Sequence, residues 1–189
     1  MIPFNYLGFF FKHFGTLIYQ KKVLEELCIF LKPLPSQASV LDIGAGTGIM
    51  SEFAHKCNSE LKYVAVDPAD GMLKYAPAYV QTYIATAEEL PFEDNSFDMI
   101  LMGESLHHFS NPELAMKEAV RVLKKNGKLF IYDFDVSTFR GKAVCWMEKT
   151  LGEPANFYAP YELKKILERH GFTVEIKHYQ WRYTVEACL

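Results

Sequence analysis

Apolar residues fall along this chain in short β-branched runs separated by stretches with helical spacing. Runs that read as buried strands lie at 39–43, 61–66, 80–84, 97–103 and 127–133. The spacing is helical from Ile49 to about His55 and again between the second, third and fourth runs. It is helical once more from Pro112 to Leu123, where Leu114, Ala115, Ala119, Val120 and Leu123 share one face. Asn111-Pro112 supplies a cap and a first-turn proline for that helix. Lys124-Lys125-Asn126-Gly127 ends it, with cations near the carbonyl end and Asn or Gly for left-handed φ.

Upstream, Leu17, Ile18, Val23, Leu24, Leu27, Phe30 and Leu31 predict a helix over 17–31, stopped by Pro33 and Pro35. Residues 135–160 show no period and are expected to be irregular. Tyr161 to His170 reads as a helix ending at Gly171. Strands at 172–180 and 183–188 follow, joined near Trp181-Arg182 by a turn so short that the pair must be antiparallel. The expected fold is therefore α/β: five parallel strands with helices on both faces, closed by an antiparallel hairpin.

The run Val40-Leu41-Asp42-Ile43-Gly44-Ala45-Gly46-Thr47-Gly48 carries the strongest chemical signal. A strand that breaks into glycines and then a helix brings bare backbone and a helix N-terminus against a nucleotide-like ligand. A dinucleotide fingerprint needs glycine at the sixth place from Gly44, where Ile49 stands. A phosphate-cradling loop needs a lysine after the glycines, and none follows. The next strand ends in Asp67, placed to accept from both hydroxyls of a ribose.

With its acidic-x-Gly-x-Gly-x-Gly run the chain resembles the class I S-adenosylmethionine-dependent methyltransferases. Four further segments are similar to that family in the right order. They are Pro68-Ala69-Asp70-Gly71-Met72-Leu73, Ala87 to Ile100 with its Leu-Pro-Phe and Ser-Phe-Asp, Leu106-His107-His108, and Arg121 to Leu129. The likeness covers about Ser39 to Asp133 and resumes at Tyr161–Phe172; it is nearest to the ubiquinone/menaquinone-biosynthesis type. It implies a Rossmann-like, seven-stranded, mostly parallel sheet whose last strand is antiparallel. It also implies S-adenosylmethionine as cofactor, held by Asp42, Gly44, Ala45, Gly46, Gly48, Asp67, Pro68, Met72, Thr86, Ala87, Glu88 and Gly103.

Several of these residues admit two readings. Asp42 either holds the glycine loop through backbone N–H groups or reaches the methionine ammonium. Met72 packs either on the adenine or simply in the core. Thr86 stands where many relatives carry an aspartate, so it accepts without charge assistance. Glu88 either substitutes for that aspartate or is a solvated surface carboxylate. Candidate bases after the fourth strand are Glu104, His107 and His108. His107 is the one assigned a catalytic role, against the alternative that it only shapes the pocket wall. Phe4, Tyr6, Phe9, Phe10, Phe11 and Phe14 within residues 1–36 are expected to form a lid. Phe139, Trp146, Phe157 and Tyr158 within 134–161 are expected to form a substrate-side wall.

Composition narrows the partners. At 189 residues the chain is expected to be one domain, 1–189, and its formal charge of -3 gives no basic footprint for nucleic acid. After the fourth strand stands Met102-Gly103-Glu104-Ser105, not the Asn/Asp-Pro-Pro-aromatic of amino-group nucleic-acid methylases. No run reaches the length of a membrane span, and no signal peptide is convincing. Cys28, Cys57, Cys145 and Cys188 lack paired metal spacing; free thiols, no metal site and a cytoplasmic location are expected. The expected partner is a small-molecule methyl acceptor, with the oligomeric state open. A catalytically silent cofactor-binding regulator, or a methyltransferase acting on a macromolecule, are the alternatives.

Overall fold

Each central apolar run becomes a strand of one seven-stranded sheet in the computed structural model, which describes residues 8, 9, 12, 13 and 19–189. The elements are α1 (Lys21–Leu31), β1 (Ser39–Ile43), α2 (Ile49–Cys57), β2 (Lys62–Val66), α3 (Asp70–Leu73) and β3 (Val80–Tyr83). They continue with β4 (Phe97–Gly103), a 3₁₀ turn (Leu106–His108), α4 (Pro112–Val122), β5 (Leu123–Phe134) and α5 (Phe139–Thr150). Last come α6 (Pro160–Arg169), β6 (Thr173–Tyr179) and β7 (Arg182–Cys188). The strand order is β3-β2-β1-β4-β5-β7-β6, with β7 antiparallel to both neighbours and every other pair parallel. Chain direction across the sheet reverses between β1 and β4, and in an open α/β sheet a ligand sits at that switch point.

Alternate strand residues feed two cores. Leu41, Ile43, Ile100, Met102, Leu129 and Ile131 pack under α4 and α6. Val40, Met99, Leu101, Phe130 and Tyr132 pack under α1 and α2. The period of two explains why the strands are apolar throughout: both faces are covered. The Asn111 side chain accepts from Leu114 N–H at 3.1 Å, as its capping role requires. The helix stops at Val122 with Leu123 already extended, so Lys124-Lys125-Asn126-Gly127 does not end it; Asn126, at φ 64°, lies within β5.

Four further expectations change. Helix α5 occupies part of the stretch expected to be irregular. Its apolar residues Phe139 and Trp146 are 88% and 71% exposed, so they do not wall a closed pocket. No helix joins β3 to β4, where residues 84–96 form turns. The described part of the expected lid, α1, is a core helix with Val23, Leu27 and Leu31 buried; Phe9 is exposed. Phe4, Tyr6, Phe10, Phe11 and Phe14 lie outside the described residues.

The fourth correction concerns the thiols. Cys28 of α1 and Cys57 at the end of α2 form a disulfide across 29 residues, leaving Cys145 and Cys188 free. Packing of the two helices on one sheet face brings the sulfurs together, which sequence spacing did not show. The inference of a reducing compartment loses the support it drew from four free thiols. Titration of the denatured, unreduced chain should find two reactive thiols, and four after reduction. Removing the cross-link with Cys28→Ser should cost about 2–4 kcal/mol of stability, read by urea unfolding.

Candidate functional site

Five strand ends and the loops after them converge at the β1/β4 switch point. The bend after β1 is built by glycines with φ of 68° at Gly44, 54° at Gly46 and 73° at Gly48, a region L side chains rarely occupy. A Cβ at Gly44 would also stand 2.5 Å from the Ser105 Cβ, so the β1 and β4 loops touch because the side chain is missing. Gly103, at the end of β4, is likewise closed in by Met50 and the Tyr19 hydroxyl.

The bend's amides are largely spent inside the protein. Gly44 and Ala45 donate to the Val66 carbonyl at 2.9 and 3.0 Å, and Gly48 donates to Ala45 at 2.8 Å. Gly46 donates to Asp67 Oδ2 at 2.8 Å, while Ala69 N–H donates to Asp67 Oδ1 at 2.8 Å. Asp67 thus ties the glycine bend to the β2 loop, and each of its oxygens keeps a second lone pair for a ligand hydroxyl. Burial raises its carboxyl, against the pull of the Ala69 and Gly46 amides. Met72 is buried, with its methyl against the side of Gly46 where a Cβ would stand.

Asp42 is the most informative residue here. It is 1% exposed, and Oδ2 accepts from both the Ser51 N–H and the Ser51 hydroxyl, at 3.0 and 2.7 Å. Oδ1 is buried with no hydrogen-bond partner, and so is Thr47 Oγ1 beside the bend. Burial raises the Asp42 carboxyl to about 6; the Ser51 bonds oppose this, and the Asp67 charge adds to it. Leaving a buried carboxylate oxygen unpaired costs kilocalories unless a water, an ion or a ligand completes it.

The other sequence-based site residues divide. Ala87 is buried, in the same core cluster as Ile43 and Val66. Thr86 and Pro68 are exposed. Glu88 is half-buried and its Oε1 accepts from the Asn111 N–H at 2.9 Å, which ties it to the start of α4.

His107 is 1% exposed and faces a carboxylate at each nitrogen: Nδ1 is 2.6 Å from Asp133 Oδ1, and Nε2 is 3.5 Å from Glu148 Oε2. Burial alone would lower it, but the two carboxylates outweigh burial and hold it at about 10, as an imidazolium. A protonated ring clamped this way does not accept a proton at neutral pH. It also stacks on Phe157 at 4.3 Å. His108 goes the other way: burial and the His107 charge push it down to about 4.

Glu104 sits in the left-handed region at φ 52°, immediately after β4, with Oε1 2.6 Å from Arg182 Nε of β7. Burial raises it to about 7 against the pull of Arg182. Tyr19 reaches the Gly103 carbonyl at 3.3 Å and lies within the fields of Glu104 and Asp42. Tyr19, Arg182 and Glu148 escaped sequence reasoning. Only Arg182, a charge between apolar residues in a hairpin, left a visible trace. Asp133 faces the His107 imidazolium and Glu104 faces Arg182, whereas among the described residues Asp42 and Asp67 have no cation partner, a pair that suits a cationic ligand.

S-adenosylmethionine fits this donor set. Asp67 would accept from its ribose hydroxyls and Asp42 is the carboxylate that would face its ammonium. Comparison with known proteins points the same way. Residues 41–131 match the family described as "Methyltransferase domain". An uncharacterized protein of Methanocaldococcus jannaschii is 36% identical over 137 residues, covering 70% of this chain and 63% of its own length. The ubiquinone/menaquinone biosynthesis C-methyltransferase UbiE of Idiomarina loihiensis is 30% identical over 161 residues, covering 78% and 58%. The chain thus spans roughly half to two thirds of the curated relatives it matches. A crystal structure of a SAM-dependent methyltransferase from Aquifex aeolicus superposes with a TM-score of 0.69 at 26% identity, over 89% of this chain and 88% of that one. Among the described residues no helix is long and apolar enough to cross a membrane. The glycine bend, the two aspartates behind it, the sheet order and these relatives all support a class I S-adenosylmethionine-dependent methyltransferase.

Proposed function

We propose that this protein transfers the methyl group of S-adenosylmethionine to a small-molecule acceptor by in-line displacement at the sulfonium. The observation that carries the reading is the left-handed glycine bend at the β1/β4 switch point, tied through the Gly46 amide to Asp67 one strand away. The cofactor when bound supplies an already electrophilic methyl group, so the protein need only bind, orient and exclude water. Asp42 and Asp67 do the binding in this reading. The printed name of the UbiE relatives, C-methyltransferase, supports a carbon acceptor.

Methylation at carbon or oxygen releases a proton, and its acceptor should have a pKa near the working pH. Glu104, held at about 7 at the end of β4, meets that need better than His107, which is held as an imidazolium between two carboxylates. His107 then serves as a wall and positioning group, and Glu104 as the proton acceptor.

The first test is thermal unfolding with S-adenosylmethionine, S-adenosylhomocysteine and NAD in parallel. A ligand at a hundred times its dissociation constant adds about 2.7 kcal/mol. In a domain this size that is about 5–11 °C. The first two should produce that shift and NAD none. Methyl transfer from labelled cofactor to phenol, enol and amine panels, run beside bulk RNA and protein, then separates small-molecule transfer from the macromolecular alternative. A full thermal shift with no transfer to any of them would leave the silent regulator.

A further inference from the structure

Beside the cofactor crevice three side chains from two distant segments meet with donor atoms facing one another. His107 and His108 come from the turn after β4, and Glu148 comes from α5. One donor atom of each lies within 4.8 Å of the others. His107 is 1% exposed and Glu148 8%. Glu148 Oε2, the atom 3.5 Å from His107 Nε2, is buried and without a hydrogen-bond partner. We infer that His107, His108 and Glu148 form a binding site for a first-row divalent transition ion of the zinc class.

Three features carry this beyond proximity. The Nε2–Oε2 separation is too long for a good hydrogen bond, yet it is near the roughly 3.4 Å between two donors that each stand about 2.0–2.1 Å from a tetrahedral ion. Asp133 takes the other nitrogen of His107 at 2.6 Å, the outer carboxylate that fixes tautomer and ring in many metal sites. The ring is further held by the Phe157 stack, and the Asn156 N–H bonds the His107 carbonyl at 2.8 Å, so the donor is already oriented. Two imidazoles and a carboxylate are the ligand set of several open zinc sites, with a fourth position for water or substrate. On binding, Nε2 gives up its proton to solvent and lends its lone pair to the ion, while Nδ1–H stays on Asp133. Glu148 and Asp133 then neutralise the two positive charges. An ion here can hold an acceptor oxygen near the methyl group. That last step rests on the methyltransferase reading, whereas the metal site does not.

The test is a Co²⁺ titration of the intact, metal-stripped chain, read by the visible ligand-field band and so independent of turnover. A band should saturate at one equivalent, be displaced by Zn²⁺ and ignore Mg²⁺. Glu148→Gln should abolish it or weaken binding at least tenfold, and Asp133→Asn should weaken it by about 10–100-fold. Should either variant fail to fold, histidine NMR of the unaltered protein decides: Zn²⁺ must move the His107 and His108 ring signals. Absence of a band, an unaffected Glu148→Gln titration, or unmoved signals would overturn the site and leave a plain buried ion triad. A cobalt band without any thermal shift from S-adenosylmethionine would instead count against the methyltransferase reading alone.

Discussion

Replacing Asp42 with asparagine is expected to weaken S-adenosylmethionine binding while stabilising the ligand-free fold at neutral pH. The carboxyl is raised from an ordinary 3.8 to about 6, chiefly by burial. A carboxyl raised in the folded state carries no penalty below 3.8, where it is neutral folded and unfolded. The penalty grows as pH climbs and is complete above 6, where the folded chain must bury a charge the unfolded chain keeps in water. At about 1.4 kcal/mol per pH unit the full effect is ~3 kcal/mol. Asparagine never ionises and can still accept from Ser51, but its amide leaves a donor unpaired at a cost of about 1–3 kcal/mol. The absolute gain is therefore modest, and the informative quantity is its slope. Measured by urea unfolding, the stability of the variant relative to the parent should rise by ~3 kcal/mol between pH 4 and 7. Binding should move the opposite way. The parent should tighten on the cofactor as pH rises through 6, since the ammonium needs the ionised carboxylate. The variant should bind about 10- to 100-fold more weakly above pH 6, with a flat profile. A parallel pH dependence in both proteins would remove Asp42 from the site.

This trade between fold and ligand also shows what sequence could and could not deliver. Asp42, Asp67 and the three glycines were legible because their order along one strand–turn–helix unit is local. Strand β4 lies over the residues read for it, and α4 starts at the Asn111 cap, because apolar runs and capping chemistry are local too. What escaped depends on packing between distant segments. Helix α5 turns Phe139, Trp146 and Met147 outward and buries Gly141 and Glu148, so its pattern is inverted and shows no apolar face. With α5 unread, Glu148 had no reason to be placed beside His107, and a histidine that looked like a free base proved clamped between two carboxylates. The Cys28–Cys57 bond escaped for the same reason, since it needs α1 and α2 side by side. Asp67 was found, but its grip on both the Gly46 and Ala69 amides was not, because that requires knowing where the β1 and β2 loops meet.

That double grip makes Asp67→Ala the substitution with the largest expected effect on the cofactor. The carboxylate offers two further acceptor sites beyond the two backbone amides it already holds, one for each ribose hydroxyl. Hydrogen bonds to a charged group contribute about 1.5–3 kcal/mol each, so losing two predicts at least a hundredfold weaker dissociation constant by calorimetry. The Gly46 amide is released as well, and the bend loses the contact that fixes it against β2. Disorder of the loop alone would also weaken binding, so Asp67→Asn separates the causes. The amide keeps one acceptor oxygen for the loop but presents a donor where the second hydroxyl needs an acceptor, and its affinity should fall between the other two. S-adenosylhomocysteine should suffer as much as S-adenosylmethionine in both variants, because the two share a ribose and differ only at the sulfur. Unequal losses would mean that Asp67 senses the sulfonium charge rather than the sugar. Wild-type affinity in a folded Asp67→Ala protein would place the ribose elsewhere.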